Sequence, residues 1–160
     1  MRNLIHKLSK ESLLYKSPIH GLKHWITVER NGLYLSQFNE ANQEIVSLFS
    51  YLHDCQRVNE YTDAEHGFRA AEYAHSIRSE FINLNDADFE KLYYALEWHN
   101  HGRLSEDDTI STCWDADRLD LDRVGIYPSS DYLTNPEAKR IADEFDYVLL
   151  DEQPSTDWNP

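Results

Sequence analysis

The sequence predicts an all-α fold, and three observations carry that expectation. Apolar residues recur at i, i+3, i+4 and i+7 along almost the whole chain. Strand-like alternation is short and isolated. Residues that start and stop helices punctuate the periodic segments at intervals typical of helical bundles. At 160 residues the chain suits one domain, expected over residues 1–150 and large enough to bury a substantial core.

Taken in order, a first helix is expected over about residues 2–15. A second begins in "SPIHGLKHWITVERNGLYL", with Ser17 as N-cap and Pro18 at the first helical position. "NQEIVSLFSYLHD" supplies the third, its stripe formed by Ile45, Leu48, Phe49 and Leu52. The fourth, "TDAEHGFRAAEYAHSIRSEF", begins after Thr62 or Asp63. The fifth, "NDADFEKLYYALEWHNHG", stops at Gly102, a residue suited to the left-handed C-terminal position. "TISTCWDADRLDLDRVG" makes the sixth, stopped by Gly125. A last helix starts at "NPEAKRIADEF", with Asn135 capping and Pro136 first. Residues 151–160, "DEQPSTDWNP", read as a flexible acidic tail.

Composition narrows the function. A hydrophobic share of 41% marks a globular chain, and no apolar run approaches the roughly 18 residues that would span a bilayer. "MRNLIHKLSKESLLYK" has neither the apolar core nor the cleavage site of a secretory leader. Cys55 and Cys113 are too few for a disulfide framework. A cytoplasmic protein without a membrane partner is the expectation. The net charge of -14 repels a nucleic-acid backbone, so long nucleic acids are excluded as partners. Small phosphorylated substrates stay open, because a bound cation reverses the local sign. No feature of the sequence fixes an oligomeric state.

Against these helical stripes the histidines stand out. His24 lies one turn before Val28, and His53 one turn after Phe49. His66 precedes Ala70, Ala74 and Ile77, while His99 completes the series Leu92, Ala95, Leu96. His101, two residues past His99, points roughly 200° away around a continuing helix. Asp117 shares a face with Cys113, Asp120 and Leu121, whereas Asp115 shares one with Arg118, Leu119 and Asp122. Periodicity leaves that pair close, with Asp117 preferred and Asp115 in reserve. An internal hydrogen bond would explain any one such residue. Several on inward faces of separate helices need partners at once, and a shared cation supplies them all.

The ordered set His24, His53-Asp54, Asp117 resembles the His…His-Asp…Asp signature of the HD-domain superfamily of metal-dependent phosphohydrolases. "HGLKHW", "LFSYLHD", "EHGFRAA" and "DADRLD" flank it, and the resemblance spans about residues 18–126. It implies a single HD-domain helical bundle in which His24, His53, Asp54 and Asp117 hold one divalent metal. The "ADR"-type aspartate of relatives favours Asp117 over Asp115. Relatives with extra histidines hold a second metal, which here implies His66 and His99 as ligands and Asp54 as the bridge. His20, one turn before His24, is implied as a substrate contact or a support to the ligands. No subgroup signature fixes the substrate.

The expected activity is that of a metal-dependent hydrolase, a phosphomonoesterase or phosphodiesterase, cutting a nucleotide or another small phosphoester with metal-activated water. Mixed imidazole and carboxylate donors suit Mn, Fe, Co, Ni or Zn, one or two per chain, better than Mg. Asp54 and His66 are the candidate catalytic residues. Lys23, Arg57, Arg69 and His20 are the candidate substrate contacts. Two alternatives stand beside this: a di-iron HD-fold oxygenase, and a non-catalytic metal- or nucleotide-binding module.

Overall fold

In the computed structural model, which describes residues 1–156, eight α-helices follow one another: α1 (Arg2–Glu11), α2 (Leu22–Leu35), α3 (Gln43–Leu52), α4 (His66–Phe81), α5 (Asp86–Trp98), α6 (Asp108–Arg118), α7 (Pro136–Glu144) and α8 (Tyr147–Asp151). Short 3-10 turns cover His99–His101, Leu121–Val124 and Ser130–Tyr132. No strand occurs among the described residues, and no helix there is long and apolar enough to cross a membrane.

Four helix starts are fixed by the residue types the backbone needs there. The side chains of Asn42, Asn85, Asp107 and Asn135 each accept a backbone N–H from the first turn that follows. Each such cap stabilises its helix by about 1 kcal/mol. Pro136 stands at the start of α7, where its missing N–H costs nothing.

α3 is the centre of the bundle, packed by α2, α5 and α6, with α4 laid on α5. Its stripe, Ile45, Leu48, Phe49 and Leu52, is buried as its spacing demands. It meets Trp25 and Val28 of α2, Leu92, Ala95 and Leu96 of α5, and Cys113 and Trp114 of α6 in one core. Trp114 keeps its indole N–H satisfied by donating to the Ala95 carbonyl at 2.9 Å. A smaller cluster of Leu35, Leu119, Leu133, Ala138, Ile141 and Leu150 seats α7 and α8 against the end of α2. Cys55 and Cys113 are buried free thiols.

Several boundaries differ from expectation. α1 stops at Glu11 because Ser12 is extended and the chain doubles back, Leu22 donating to the Tyr15 carbonyl at 3.0 Å. Ser17 does cap, but only a single turn: its hydroxyl accepts from the N–H groups of Ile19 and His20. α2 starts after Gly21, where any Cβ would lie 2.5 Å from the Ser17 and Tyr15 carbonyl oxygens. α4 begins at His66, not after Thr62 or Asp63, because the Asp63 carboxylate is engaged by the Val58 N–H and Arg69. α5 tightens into a 3-10 turn that Gly102 ends at φ +66°. The segment expected as a sixth helix breaks after Arg118, and Leu121–Val124 forms its own turn.

The short α8 was not anticipated. Of the expected tail, Asp151 closes α8, and residues 153–156 line one cavity with Arg30, Leu33, Tyr34 and Gln37. The Thr156 hydroxyl donates there to Glu29. Residues 157–160 lie outside the described residues.

Candidate metal centre

The centre assembles where the ends of α2, α3, α4, α5 and α6 meet. His24 comes from the first turn of α2, His53 and Asp54 from the turn leaving α3, and His66 from the first residue of α4. His99 lies just past α5, and Asp117 in the last turn of α6. Gly67 makes the α4–α5 approach tight enough for this, since a Cβ there would lie 2.8 Å from the Leu96 and Glu97 carbonyl oxygens.

The side chains form two groups with metal-ligand spacing: His24, His53 and Asp117, then Asp54, His66 and His99. In the first, Nε2 of His24 lies 3.0 Å from Nε2 of His53 and 3.3 Å from Asp117 Oδ1. In the second, Nε2 of His66 lies 2.8 Å from Nε2 of His99 and 3.2 Å from Asp54 Oδ1. The other oxygen of Asp54, Oδ2, lies 3.8 Å from both His24 Nε2 and His53 Nε2. Asp54 thus turns one oxygen to each group.

The outer edge of each imidazole fixes its tautomer. Nδ1 of His53 faces the Ser50 carbonyl, that of His99 the Leu96 carbonyl, that of His66 the Asp63 carbonyl, and that of His24 the Asp120 carboxylate. All four partners only accept, so each Nδ1 donates and leaves a lone pair on Nε2. Four lone pairs and two carboxylates then face one another across about 3 Å. Such an arrangement is repulsive without a cation, and these donor types suit a divalent transition metal.

The titration directions agree. Burial pushes His53 down to about 3, against the pull of Asp54 and Asp117. Burial raises the Asp54 carboxyl, but His53, His20, His66 and His99 outweigh it and hold it well below the usual carboxylate range. Asp117 is likewise held low, burial being overcome first by the His24 hydrogen bond. For His24, burial is overcome by its bonds to Asp117 and Asp120, and its pKa rises. Without metal, the centre draws a proton into the space a cation would share.

The structure separates the two aspartates that periodicity left close. Asp117 enters the centre. Asp115 is fully buried elsewhere, accepting from the backbone N–H groups of Thr134 and Asn135 at 2.9 and 2.7 Å, so it anchors the entry to α7. Burial raises its carboxyl to about 6.

Among the remaining candidates, His20 places Nδ1 at 2.9 Å from Asp54 Oδ2, with Nε2 at 3.9 Å from Glu60. Arg57 is buried beside His66 and Asp54. The guanidinium of Arg69, expected as a substrate contact, is engaged within the fold, forked onto Asp63 at 2.7 and 2.6 Å and donating to the Gln56 carbonyl. Lys23 is an exposed residue on the rim of a neighbouring cavity of about 270 Å³, which Asp120, Arg123 and Tyr147 also line. His101 is exposed and outside both groups. Sequence reasoning missed Asp120 and Glu60. Asp120 did share the inward face of Asp117, but nothing local tied it to a histidine 96 residues away.

No family model matches the chain, and no curated protein matches it. Among solved structures it is similar to the crystal structure of a predicted HD superfamily hydrolase from an uncultured Thermotogales bacterium, with a TM-score of 0.71 at 21% identity. The alignment covers 93% of this chain and 87% of that one. The chain shares the fold of that protein, all-α and here built around a buried His/Asp cluster.

Proposed function

We propose that the chain is a metal-dependent hydrolase of small phosphoesters, with the His24, His53, Asp54 and Asp117 group as its principal metal site. The observation that carries this reading is the gathering of four buried imidazole Nε2 atoms and two carboxylates into two groups with metal-ligand spacing. The HD-domain fold supports it, as does the hydrolase prediction made for the similar Thermotogales protein.

A divalent metal held there supplies polarisation of a phosphoryl oxygen and a water acidic enough to ionise near neutral pH. The chain's own residues do the rest. Asp54, ionised and buried, accepts hydrogen bonds from the side of the centre where His20 already donates. His66, also buried, presents its Nε2 lone pair to the same carboxylate. Arg57 supplies positive charge for a phosphoryl oxygen. Asp117 is 19% exposed, against 4% for Asp54, so the centre opens on the Asp117 side.

The test is phosphate release from p-nitrophenyl phosphate, its bis ester and a panel of nucleotides, with Mn, Co, Ni, Fe, Zn or Mg added to metal-free protein. Metal-stimulated hydrolysis that disappears in Asp54→Asn is expected. Full activity in that variant would sink the role given to Asp54. A di-iron oxidation is a second reading, favoured by the way Asp54 divides its oxygens between two groups. A mixed-valent iron signal after aerobic loading would bring it forward.

A further inference from the structure

The two metal-ligand groups are not electrostatically equal. Among the described residues no lysine or arginine forms an ion pair with Asp117, and Arg123 pairs with Asp120 on the far side of the His24 ring. The second group already has a cation. Arg57 Nη1 lies 3.3 Å from His66 Nε2 and 3.4 Å from its Nδ1, so it sits over the ring, and it lies 3.6 Å from Asp54 Oδ1, the oxygen that a metal there would use.

That guanidinium is held where it is. Its Nη2 donates to the Tyr61 carbonyl at 2.7 Å, and its side chain is 10% exposed. Nε is buried with no hydrogen-bond partner among the described residues, and Asp54 is the one carboxylate with which Arg57 pairs there. A buried cation depends on its counter-ion, because desolvation leaves it nothing else. A divalent ion entering the second group would take Asp54 Oδ1 from Arg57. It would also sit within a few ångströms of a like charge, where the interior screens weakly.

We propose that Arg57 occupies the electrostatic place of a second metal. The chain then loads one metal tightly through His24, His53, Asp117 and Asp54 Oδ2, and a second only by displacing the guanidinium from His66 and Asp54. This rests on the metal-centre reading above. It makes the His66–His99 group a conditional site whose threshold is set by one residue. It also gives the centre a fixed positive group three residues after the shared carboxylate.

The experiment is calorimetric titration of metal-free protein with Mn(II), for the wild type, Arg57→Met and Arg57→Lys. The wild type is expected to bind one equivalent tightly and a second at least tenfold more weakly. Arg57→Met, close in volume and uncharged, should tighten the second site at least tenfold and leave the first unchanged. Its spectrum with two equivalents of Mn(II) should show an exchange-coupled pair by electron paramagnetic resonance. Arg57→Lys should keep the second site weak. Two equal sites in the wild type, or an unchanged second site in Arg57→Met, would overturn the proposal. If circular dichroism shows Arg57→Met unfolded, Arg57→Gln takes its place with the same expectations. Retention of the tight site in His53→Ala would overturn the metal centre itself. Normal loading order without phosphoester hydrolysis would overturn the proposed activity alone.

Discussion

His24 and Asp120 are joined at 2.6 Å, Nδ1 to Oδ2, across 96 residues of sequence. The bond aims the His24 ring so that Nε2 faces His53 and Asp117, and it keeps the Nδ1 edge protonated. Asp120 is itself steadied by Arg123, which lies 3.6 Å away and also donates to the Asp120 backbone carbonyl. The carboxylate behind a ligand histidine governs how well that histidine binds.

Asp120→Ala should therefore weaken binding of the tight metal by about 10- to 100-fold while leaving helix content unchanged. Competition for Mn(II) against a chelator of known affinity measures this. Wild-type affinity in the variant would show that the His24 ring is held by its packing alone.

Asp115 gives a pH dependence with a definite sign. Its carboxyl is raised by burial to about 6 in the fold, against roughly 3.9 in an unfolded chain. Between those values the folded state binds more protons, so its stability falls as pH rises from about 4 through 6. The contribution is at most roughly 3 kcal/mol. Asp115→Asn removes the titrating group and keeps an oxygen for the Thr134 and Asn135 N–H groups. The stability of the variant minus that of the wild type should thus rise with pH across this window in urea titrations. A constant difference would mean that Asp115 does not titrate there.

Gly67 sets the spacing of the second group. Gly67→Ala must push α4 from α5, because its Cβ would meet two backbone carbonyl oxygens at 2.8 Å. A cost of about 1–3 kcal/mol is expected, read as a lower thermal midpoint. The same displacement parts His66 from His99, so any second equivalent of Mn(II) should weaken further, with the first little changed. Equal weakening of both equivalents would show that the shift spreads through the whole bundle.

How much of this was legible beforehand follows from the range of each interaction. Helical spacing placed His24, His53, His66 and His99 on inward faces, and the buried positions of all four agree with it. Capping chemistry at Asn42 and Asn135 is local, acting within three residues, so those starts were readable. Ser17 shows the limit. Its hydroxyl captured the expected N–H groups, but the carbonyls of Leu14 and Tyr15 crowd Gly21 and delay α2 by a turn. Arg69 and Arg57 stand near the same motif in sequence, yet Asp63 takes one guanidinium away while the other is turned onto His66.

The sequence by itself determined the helical class, the inward faces and the residue types that offer a metal lone pairs and negative charge. Those follow from periodicity and side-chain chemistry, which are properties of short segments. The resemblance implied Asp117 as a ligand and Asp54 as a bridge, but only the tertiary structure decided that Asp115 holds the α7 entry, that Asp120 backs His24, and which oxygen of Asp54 faces which group. Each of those choices depends on which backbone or side chain arrives from a distant segment to satisfy a buried polar atom. Such a partner exists only once the bundle has closed.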